Sequence, residues 1–511
     1  MRRLCTLVLI LILCFAFLLI SEIGIVKAES TIYIRADGSI EGTDNISQDA
    51  KIYTFTDDIT GSFVVEKDGI VVDGAGYTLQ GNGEYTGINL QDRNNVTVRN
   101  VKIRDFSCGI GLRTQPMVYT TSENNIISGN TITNNEYGIW IRDFSKSNIV
   151  SRNNITNNDY GIFISYSSEN VLRYNHMNNN TYNFWVACDT YRTISDFTND
   201  VDSSNTVDGK PIYYWVNQED KTVPSEAGYV ALVNCTDITV KNLNLVKNGQ
   251  GILLVFTTNS LITKNNITNN GEGIHLYRGS HDNDVTENNI TNNNNDGLYL
   301  HESYTTKIIE NNITNNQDGI DFRNSRDANI IGNTITENNG WGIRLAGYSN
   351  NTISVNYIAN NSRGILVEYS VQNKIIGNTI IENNGWGIQL GGTQINNVIY
   401  HNNFVNNKVE NDLQVDIPMQ WLPGWEPGNP NVWDNGFEGN YWSDYEGKYP
   451  NATELDGSGI WNTPYVIDGN NQDNYPLVPE FPTWTPMLFT LIVLAVAIAI
   501  CKQRLPKTPI H

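Results

Sequence analysis

The sequence predicts an all-β fold, a right-handed parallel β-helix built as a solenoid of coils of 22 to 24 residues. The first observation is a glycine followed by isoleucine or leucine, which recurs from Gly87 to Gly387, mostly at steps of 22 to 24 residues. A period in this range is typical of solenoids. The second observation is that each repeat alternates apolar and polar residues over short stretches, such as Gly273–Tyr277, which indicates β-strands. The leucine frame of a leucine-rich repeat is absent.

A third observation concerns asparagines that share one register, each two residues before an apolar residue. Stacked at one corner, their amides can hydrogen-bond from coil to coil, and asparagine tolerates left-handed turn geometry. We therefore assign these residues to the architecture rather than to a site. They are Asn130, Asn153, Asn175, Asn265, Asn288, Asn311, Asn333, Asn356, Asn378 and Asn402.

Both ends of the chain resemble membrane signals. Residues 1–28 hold two arginines, an apolar run and small residues before Ala28, which is typical of a secretory signal peptide; an uncleaved anchor is the alternative. Residues 485–501 are apolar and predict a transmembrane helix, followed by a basic cytoplasmic tail at 502–511. The body between them is therefore expected at the cell surface, outside the membrane.

The body divides into five parts by composition. Residues 29–84 are expected to cap the first coil, because the open end of a β-helix is an unpaired edge. Coils fill 85–188 and 237–417, with a strand-rich insertion at 189–236 between them. Residues 418–480 are rich in tryptophan, aspartate and glycine and predict a C-terminal cap.

The charge balance limits the possible partners. The chain of 511 residues carries a formal net charge of -21, which disfavours a nucleic-acid partner, since such binding needs a basic stripe. A solvated acidic surface is the simplest interpretation, and calcium is the one cofactor considered. No EF-hand spacing is present, so turn formation is the alternative role for the candidate calcium ligands of the C-terminal cap. These are Asp434, Asp444, Asp456, Asp468 and Asp473.

Export has two covalent consequences. Cys188 and Cys235 flank the insertion and are candidates for a disulfide. Asparagine sequons are candidate glycosylation sites, but those within the repeat lie on coils about 4.8 Å apart, so we expect only partial occupancy. The sequons are at Asn45, Asn95, Asn154, Asn179, Asn234, Asn266, Asn289, Asn312, Asn350, Asn360 and Asn451.

The strand that begins at each glycine predicts which side chains face outward. The first and third residues after glycine are apolar and face inward, so the second and fourth face outward. These outward positions carry the candidate ligand contacts, an aromatic series followed by a polar group. The aromatic series is Trp140, Phe163 and Trp185, and the polar group is His275, Tyr277, Tyr299, His301, Asp321, Arg323 and Arg344. The alternatives are aromatic packing beneath the insertion and simple cross-strand pairing, such as Asp321 with Arg344.

Several blocks of the sequence resemble a known family. The coils, the segment NTVDGKPIYYWVNQ at 205–218, and the distal GNYWSDYEG (439–447) and TPYVIDGNNQDNYPL (463–477) are similar to NosD-like parallel β-helix proteins. That group is also described as carbohydrate-binding and sugar-hydrolase β-helices. The tail VPEFPTW before the apolar span resembles the C-termini of archaeal surface proteins. The family name also suggests copper, but no methionine, cysteine and histidine cluster is present, so we do not predict a copper site.

Three functions fit these features. The first is a cell-surface protein that binds polysaccharide or surface glycan along the outer face of the glycine strands, where exposed aromatic rings can stack on sugars. The second is a polysaccharide lyase, epimerase or hydrolase, with His301, Tyr299, Arg344 and Asp321 as candidate catalytic residues. The motif sets of polygalacturonases and pectate lyases are absent, so an enzyme is not the leading prediction. The third is a purely structural envelope protein.

Overall fold

A computed structural model of the chain describes residues 31–113, 121–187, 193–347, 350–392, 396–407, 414–417 and 431–479. The predicted signal peptide, transmembrane helix and basic tail lie outside these ranges. Among the described residues, no helix is both long and apolar enough to cross a membrane. The chain divides into two compact units, Met1–Gly209 and Lys210–His511, and each is described by itself.

Unit 1 is a parallel β-helix with three sheets, and each coil contributes one strand to each sheet. In sheet order, the first sheet contains Ile40–Glu41, Ile32–Ile34, Phe63–Val65, Thr86–Asn89, Cys108–Arg113, Tyr137–Arg142, Tyr160–Ser165 and Tyr182–Ala187. The second contains Asp200–Val201, Val171–Arg173, Ile149–Ser151, Ile126–Ser128, Thr97–Arg99, Val71–Asp73, Ile52–Phe55 and Ile46–Asp49. The third contains Ile59–Thr60, Thr78–Gln80, Lys102–Arg104, Thr131–Thr133, Asn154–Thr156, His176–Asn178 and Thr206–Val207.

Unit 2 has the same three-sheet construction. The glycine strands are in the sheet of Lys210–Val216, Tyr229–Val233, Gln250–Val255, Glu272–Tyr277, Leu298–His301, Ile320–Arg323, Trp341–Ala346, Arg363–Glu368, Ile388–Gly391 and Val415–Asp416. A second sheet contains Glu219–Thr222, Thr236–Lys241, Leu261–Thr263, Asp284–Thr286, Lys307–Ile309, Asn329–Ile331, Thr352–Ser354, Lys374–Ile376 and Val398–Tyr400. A third contains Asn244–Val246, Asn266–Thr268, Asn289–Thr291, Asn312–Thr314, Thr334–Thr336, Tyr357–Ala359, Thr379–Ile381, Asn403–Val405 and Tyr441–Trp442.

The predicted all-β parallel solenoid is therefore confirmed. Helical structure in the described residues is limited to a 3₁₀ turn, Ile194–Phe197, and one α-helical turn, Tyr445–Lys448. The apolar residues at the first and third positions after each glycine point into the core, as predicted; Ile274 and Leu276, for example, are both fully buried. Parallel pairing keeps equivalent residues of successive coils side by side, so that Ile274 pairs with Leu298 and His275 with Tyr299.

The stacked asparagines form ladders of hydrogen bonds, as predicted. Asn288 shows the arrangement that the ladder residues share. Its Nδ2 donates to Oδ1 of Asn311 on the next coil over 3.0 Å and to the carbonyl oxygen of Ile262 over 2.9 Å. Its Oδ1 accepts from the amide of Asn265. Each buried amide thus satisfies backbone groups at the corners, where the sheets cannot. Further ladders occupy other corners, such as the one through Asn293 and Asn316.

The left-handed conformation lies one residue earlier than expected. We predicted it for the ladder asparagines, but the residue before each of them has the positive φ: Glu287 has φ 54° before Asn288, and Val355 has φ 58° before Asn356. The ladder residue itself is selected for its amide, which reaches inward. The preceding residue faces solvent and varies in type, so the sequence pattern concealed it.

The recurrent glycine is explained by close approach between coils. A Cβ on Gly319 would lie 2.5 Å from the carbonyl oxygen of Gly342 and 2.7 Å from Cγ2 of Ile335. Both contacts are shorter than real Cβ contacts, and one is to backbone that cannot move aside. The glycine therefore lets the chain turn closely into the strand that carries the outward positions.

The segment predicted as an insertion, 189–236, does not form a separate element where it is described. Thr206–Val207 extends the third sheet of unit 1, and Lys210–Val216 pairs in parallel with Tyr229–Val233 in unit 2. Antiparallel strands appear at the beginning of unit 1, where Ile46–Asp49 pairs with Ile52–Phe55. These residues belong to the predicted N-terminal cap.

Candidate functional site

The aromatic series in unit 1 is larger than the sequence indicated. Trp140, Phe163 and Trp185 occupy equivalent positions on three coils, with edge contacts of 5.8 Å between ring centroids. A second column stands beside it at the residue before each glycine: Tyr137 stacks on Tyr160 at 4.6 Å. We call the six rings the aromatic patch; they are Tyr137, Trp140, Tyr160, Phe163, Tyr182 and Trp185. Five of them are half-buried and Tyr182 is buried.

Arginines border the aromatic patch. The Arg142 guanidinium lies 3.8 Å from the Trp140 ring centroid, and Tyr137 stacks on the same ring at 4.3 Å. Arg113 and Arg142 both approach Oδ2 of Asp143, at 3.3 and 3.4 Å. Two guanidinium groups thus share the carboxylate of Asp143. Burial lowers the pKa of Arg142, and the neighbouring Arg113 lowers it further.

The polar group of unit 2 is assembled on four successive coils, but much of it is covered. His275, Tyr277, His301 and Asp321 are buried, whereas Tyr299 and Arg344 are half-buried and Arg323 is exposed. The rings pack on one another: His275 meets Tyr299 edge-on at 4.7 Å, and Tyr277 stacks on His301 at 5.5 Å. Direct ligand contact at this face is therefore restricted to the exposed parts of Tyr299, Arg323 and Arg344.

The ion pairs differ from the pairing considered from the sequence. Asp321 and Arg344 are neighbours in register, but Asp321 Oδ2 accepts from Arg323, with both Nε and Nη2 at 2.9 Å. Arg344 instead approaches Glu368 Oε2 at 3.6 Å. Asp321 pairs with Arg323 of its own strand because residues two apart in a strand lie on the same face, so the Arg323 side chain can reach back to Asp321.

A third outward column, at the residue before each glycine, escaped the sequence analysis. In unit 2 it brings Glu272, Asp296 and Asp318 to successive coils beside Asp321. Reading the residue before each glycine as a column of its own would have revealed both these acids and the tyrosines of the aromatic patch.

Asp296, Asp318 and Asp321, which we call the acidic cluster, bring carboxylate oxygens within 4.8 Å of one another. Within the described ranges this is the one group of three acidic, histidine or cysteine side chains so close. Asp321 is fully buried, Asp318 is buried and Asp296 is half-buried. Like charges so close are unfavourable unless a proton or a cation offsets them.

Electrostatics at the acidic cluster reflect this crowding. Burial, then the carboxylates of Asp321, Asp318 and Glu272, raise the pKa of Asp296 to about 8. Burial also raises the pKa of Asp318, although the backbone N–H of Trp341 opposes it. Burial raises the pKa of Tyr299 to about 12, so its phenol keeps its proton at neutral pH.

The buried histidines have different environments. His275 Nδ1 lies 2.7 Å from Glu272 Oε2, while its Nε2 has no hydrogen-bond partner among the residues that the structure describes. Burial lowers the pKa of His301, which favours the neutral imidazole. Neither ring presents a nitrogen freely to solvent, since His275 is 1% exposed and His301 7%.

Four of the five aspartates proposed as calcium ligands in the C-terminal cap accept hydrogen bonds within the cap. Asp473 Oδ2 accepts from the backbone of Asn440 and from Trp442 Nε1, which joins the two distal sequence blocks. Asp434 accepts from Gly436 and Asn474, Asp468 from Asn470 and Asn471, and Asp444 from the Tyr465 hydroxyl. Asp456 is exposed. No three of them come together as the acidic cluster does within the described chain.

The remaining predicted residues are placed as follows. Cys235 is buried, with Sγ 3.4 Å from the carbonyl oxygens of Trp215 and Val233, and its suggested partner Cys188 lies outside the described residues. The sequon asparagines Asn266, Asn289 and Asn312 form an outer ladder, with each Nδ2 donating over 2.7 Å to the preceding coil. Glycosylation of these amides stays a prediction.

Comparisons with known proteins give one family. The model of a family described as "Periplasmic copper-binding protein (NosD)" matches residues 21–226, 216–331 and 297–447. No curated protein matches the chain in sequence.

Solved structures with a similar fold include several polysaccharide-active enzymes. The periplasmic alginate epimerase AlgG is 12% identical over 75% of this chain and 82% of its own, with a TM-score of 0.23. The A-module of the Azotobacter vinelandii mannuronan C-5 epimerase AlgE4 is 14% identical over 73% and 91%, with a TM-score of 0.36. A mannuronic acid specific family 6 lyase from human gut microbiota is 10% identical over 72% and 90%, with a TM-score of 0.29. At such identities and scores, these similarities carry no information on what this chain binds or catalyses.

Proposed function

This chain belongs to the NosD family, and from that starting point we propose that it is a cell-surface protein that binds polysaccharide along the outer face of its β-helix. The family's description as periplasmic agrees with an exported protein. In this proposal the predicted signal peptide directs export, and the predicted C-terminal helix holds the body at the membrane.

The observation that carries the proposal is the aromatic patch. Six rings on three successive coils form a strip about 10 Å long, taking coils about 4.8 Å apart. Five of these rings keep part of their surface in water although each packs on its neighbours. Rings that hold one another in place lose little conformational freedom when a flat sugar face stacks on them. A strip of this length suits two or three sugar units of an extended polymer.

The arginines at the edge of the aromatic patch suggest which sugars bind best. Arg113 and Arg142 share Asp143, so one positive charge is left without an equal partner in this group. Guanidinium groups bind carboxylates in a planar, two-point manner. We therefore expect a preference for polysaccharides that carry carboxylates over neutral ones, weakened by salt.

The test is a glycan array probed with the full-length chain, with neutral and uronate-containing polysaccharides side by side. A Trp140→Ala/Trp185→Ala variant removes two rings of the aromatic patch. Tyr174→Ala is the matched control, because Tyr174 is an exposed aromatic residue of unit 1 outside the patch. The proposal predicts at least tenfold weaker binding for the double variant and unchanged binding for the control. Equal binding by all three proteins, or binding by none, would reject it.

A second candidate function is polysaccharide hydrolysis, elimination or epimerisation in unit 2. It is favoured by Asp296, whose raised pKa of about 8 keeps a proton available beside the ion pair of Asp321 and Arg323. A protonated and an ionised carboxyl side by side are the usual requirement of glycosidases. The enzyme would place Tyr299 and Arg344 against the substrate, since both are partly exposed.

A turnover screen separates the two functions. The full-length chain is incubated with the polysaccharides that it binds, and reducing ends, unsaturated products and epimerised units are measured. Product that disappears in Asp296→Asn and His301→Ala, with folding retained by circular dichroism, would establish the enzyme. Binding without product would leave the polysaccharide-binding function alone.

Copper, which the family description names, does not fit the described residues. Copper(I) sites are built from methionine, cysteine and histidine. Met177 lies fully buried in the core, Cys108 and Cys235 are buried in different units, and the acidic cluster offers only carboxylate oxygens. Met117 and Met419 lie outside the described residues. No step of either proposed function therefore involves copper.

A further inference from the structure

We propose that the acidic cluster of unit 2 is a binding site for a calcium ion. The proposal concerns Asp296, Asp318 and Asp321 and does not depend on polysaccharide binding by the aromatic patch in unit 1. Calcium takes six to eight oxygen ligands at 2.3–2.6 Å, often from carboxylates. Two ligands of one such ion can be up to about 5.2 Å apart, and the three carboxylates keep their oxygens within 4.8 Å of one another.

The fold holds one oxygen of each carboxylate. Asp321 Oδ2 accepts from Arg323 at 2.9 Å, Asp318 Oδ1 accepts from the backbone N–H of Trp341 at 2.6 Å, and Asp296 Oδ1 accepts from the backbone N–H of Asp318 at 3.3 Å. These contacts fix the orientation of each carboxylate and leave its other oxygen for a ligand. Outer contacts of this kind are what position the ligands of a metal site.

An orphaned atom points to a missing ligand independently of the crowding. Asp321 is 0% exposed, and its Oδ1 has no hydrogen-bond partner within the described part of the chain. A buried carboxylate oxygen without a partner is costly, and buried charges are normally paired or bound to metal. Arg323 already engages the other oxygen, so it does not relieve Oδ1.

The backbone also makes room for this arrangement. A Cβ on Gly340 would lie 2.0 Å from Asp318 Oδ1, so the carboxylate occupies space that only glycine leaves open. Asp296 is half-buried, so it is the member of the acidic cluster that is most accessible to solvent. The oxygen-only ligand set suits a hard cation.

The charge of the site agrees with a divalent cation. The acidic cluster and the neighbouring Glu272 together hold four carboxylates. Arg323 pairs with Asp321, whereas the half-buried Arg344 has its closest acidic contact with Glu368, outside the cluster. A calcium ion would balance the excess negative charge and displace any proton held there. It would also tie two successive coils together, because Asp296 lies on one coil and Asp318 and Asp321 lie on the next.

The experiment uses the full-length chain, stripped with EDTA and dialysed, then titrated with calcium chloride by calorimetry and with terbium by luminescence. The expected result is one saturable site per chain and a higher thermal unfolding midpoint with calcium, because a ligand that binds the folded state stabilises it. Magnesium chloride is titrated separately. No saturable calcium binding, or binding of magnesium in preference to calcium, would overturn the proposal.

Variants identify the site. Asp318→Asn and Asp321→Asn keep the shape of the side chain, and each should weaken calcium binding at least tenfold. Asp284→Asn is the matched control, since Asp284 lies on the surface of unit 2 and pairs with Lys307; it should bind within twofold of the parent chain. If a buried substitution prevents folding, the half-buried Asp296→Asn decides. Binding that survives in these variants but is lost in Asp434→Asn would place calcium in the C-terminal cap and reject the acidic cluster.

Discussion

The backbone N–H of Trp341 donates to Oδ1 of Asp318 over 2.6 Å, from a residue one coil further along the chain. The carboxylate thereby replaces a backbone carbonyl as the acceptor between two coils. Its position depends on Gly340, where a Cβ would meet the same oxygen at 2.0 Å. Asp318 therefore joins two coils at this corner and is also a member of the acidic cluster.

The first prediction is that Gly340→Ala displaces the Asp318 carboxylate and weakens calcium binding by about tenfold. The backbone at Gly340 has no left-handed φ, so the effect comes from the contact rather than from strain. Calorimetric titration of the full-length chain measures it. Gly469→Ala is the control because a Cβ there meets nothing within 4 Å. Equal affinities in both variants would contradict the role given to Gly340.

The second prediction concerns the ladders of asparagines. Asn311→Ala removes the bonds of Nδ2 to Asn333 and to Val285 and leaves buried backbone groups without partners. We expect the free energy of unfolding to fall by about 2–3 kcal/mol, the usual cost of unsatisfied buried polar groups. Asn312→Ala, at an exposed position one residue later, should change it by less than about 0.5 kcal/mol. Chemical denaturation compares the two, and similar losses would show that the ladder adds no stability.

The third prediction concerns pH. Because the pKa of Asp296 is about 8 in the folded chain and 3.8 without its surroundings, the folded state holds this proton more tightly. The protonated Asp296 carboxyl therefore stabilises the folded state in full below pH 3.8, and this stabilisation is lost as the pH rises through about 8. The charged or titratable groups that influence it are Glu272, Asp318, Asp321, Tyr299 and Arg323.

Asp296→Asn supplies the control for this pH dependence, because asparagine does not titrate. In EDTA, the unfolding midpoint of the parent chain should fall relative to that of the variant between pH 5 and pH 8, because unfolding in this range releases the proton that the folded Asp296 carboxyl still holds. Thermal unfolding of both proteins across this range gives the comparison. Parallel curves would show that Asp296 ionises normally in the folded chain.

The fourth prediction concerns Tyr160 at the centre of the aromatic patch. Its ring lies 4.6 Å from that of Tyr137 and 5.5 Å from those of Tyr182 and Trp185. Tyr160→Phe keeps these contacts and should keep polysaccharide affinity within threefold. Tyr160→Ala removes the supporting ring and should weaken binding by about tenfold, with a change in near-ultraviolet circular dichroism of the patch. Loss of affinity in the phenylalanine variant would instead assign the binding to the hydroxyl group.

The sequence predicted the repeat well because each coil obeys the same steric rules. The inward positions, the glycine and the ladder asparagines are fixed by packing between identical neighbours, so their period survives in the residue order. The sequence also identified Tyr299 and Asp321 as outward residues of one group. It did not identify Glu272, Asp296 and Asp318, because the residue before each glycine was not read as an outward column.

Burial was the second limit of the sequence analysis. Alternation places His275 and His301 on the outer side of their strands, but their exposure depends on how rings of successive coils cover one another. The pairing of Asp321 with Arg344, which the sequence analysis considered as an alternative, is not the ion pair that forms, for a related reason. Register alone makes them neighbours, whereas the reach of Arg323 along its own strand decides the ion pair.

The ladders of asparagines have a direction. In the buried ladder, the bonds between amide side chains run toward the C-terminal end, from Asn265 to Asn288, then to Asn311 and Asn333. Every coil of this ladder therefore offers a side-chain acceptor to the coil before it and a side-chain donor to the coil after it. The first amide of one such series, Asn248, accordingly has an Oδ1 with no partner in the described chain. The two faces of each coil are thus complementary in their hydrogen-bonding groups. If a whole coil were duplicated or deleted in the middle of unit 2, the amide donors and acceptors of the coils on either side would still match. The length of this solenoid can therefore change by whole coils.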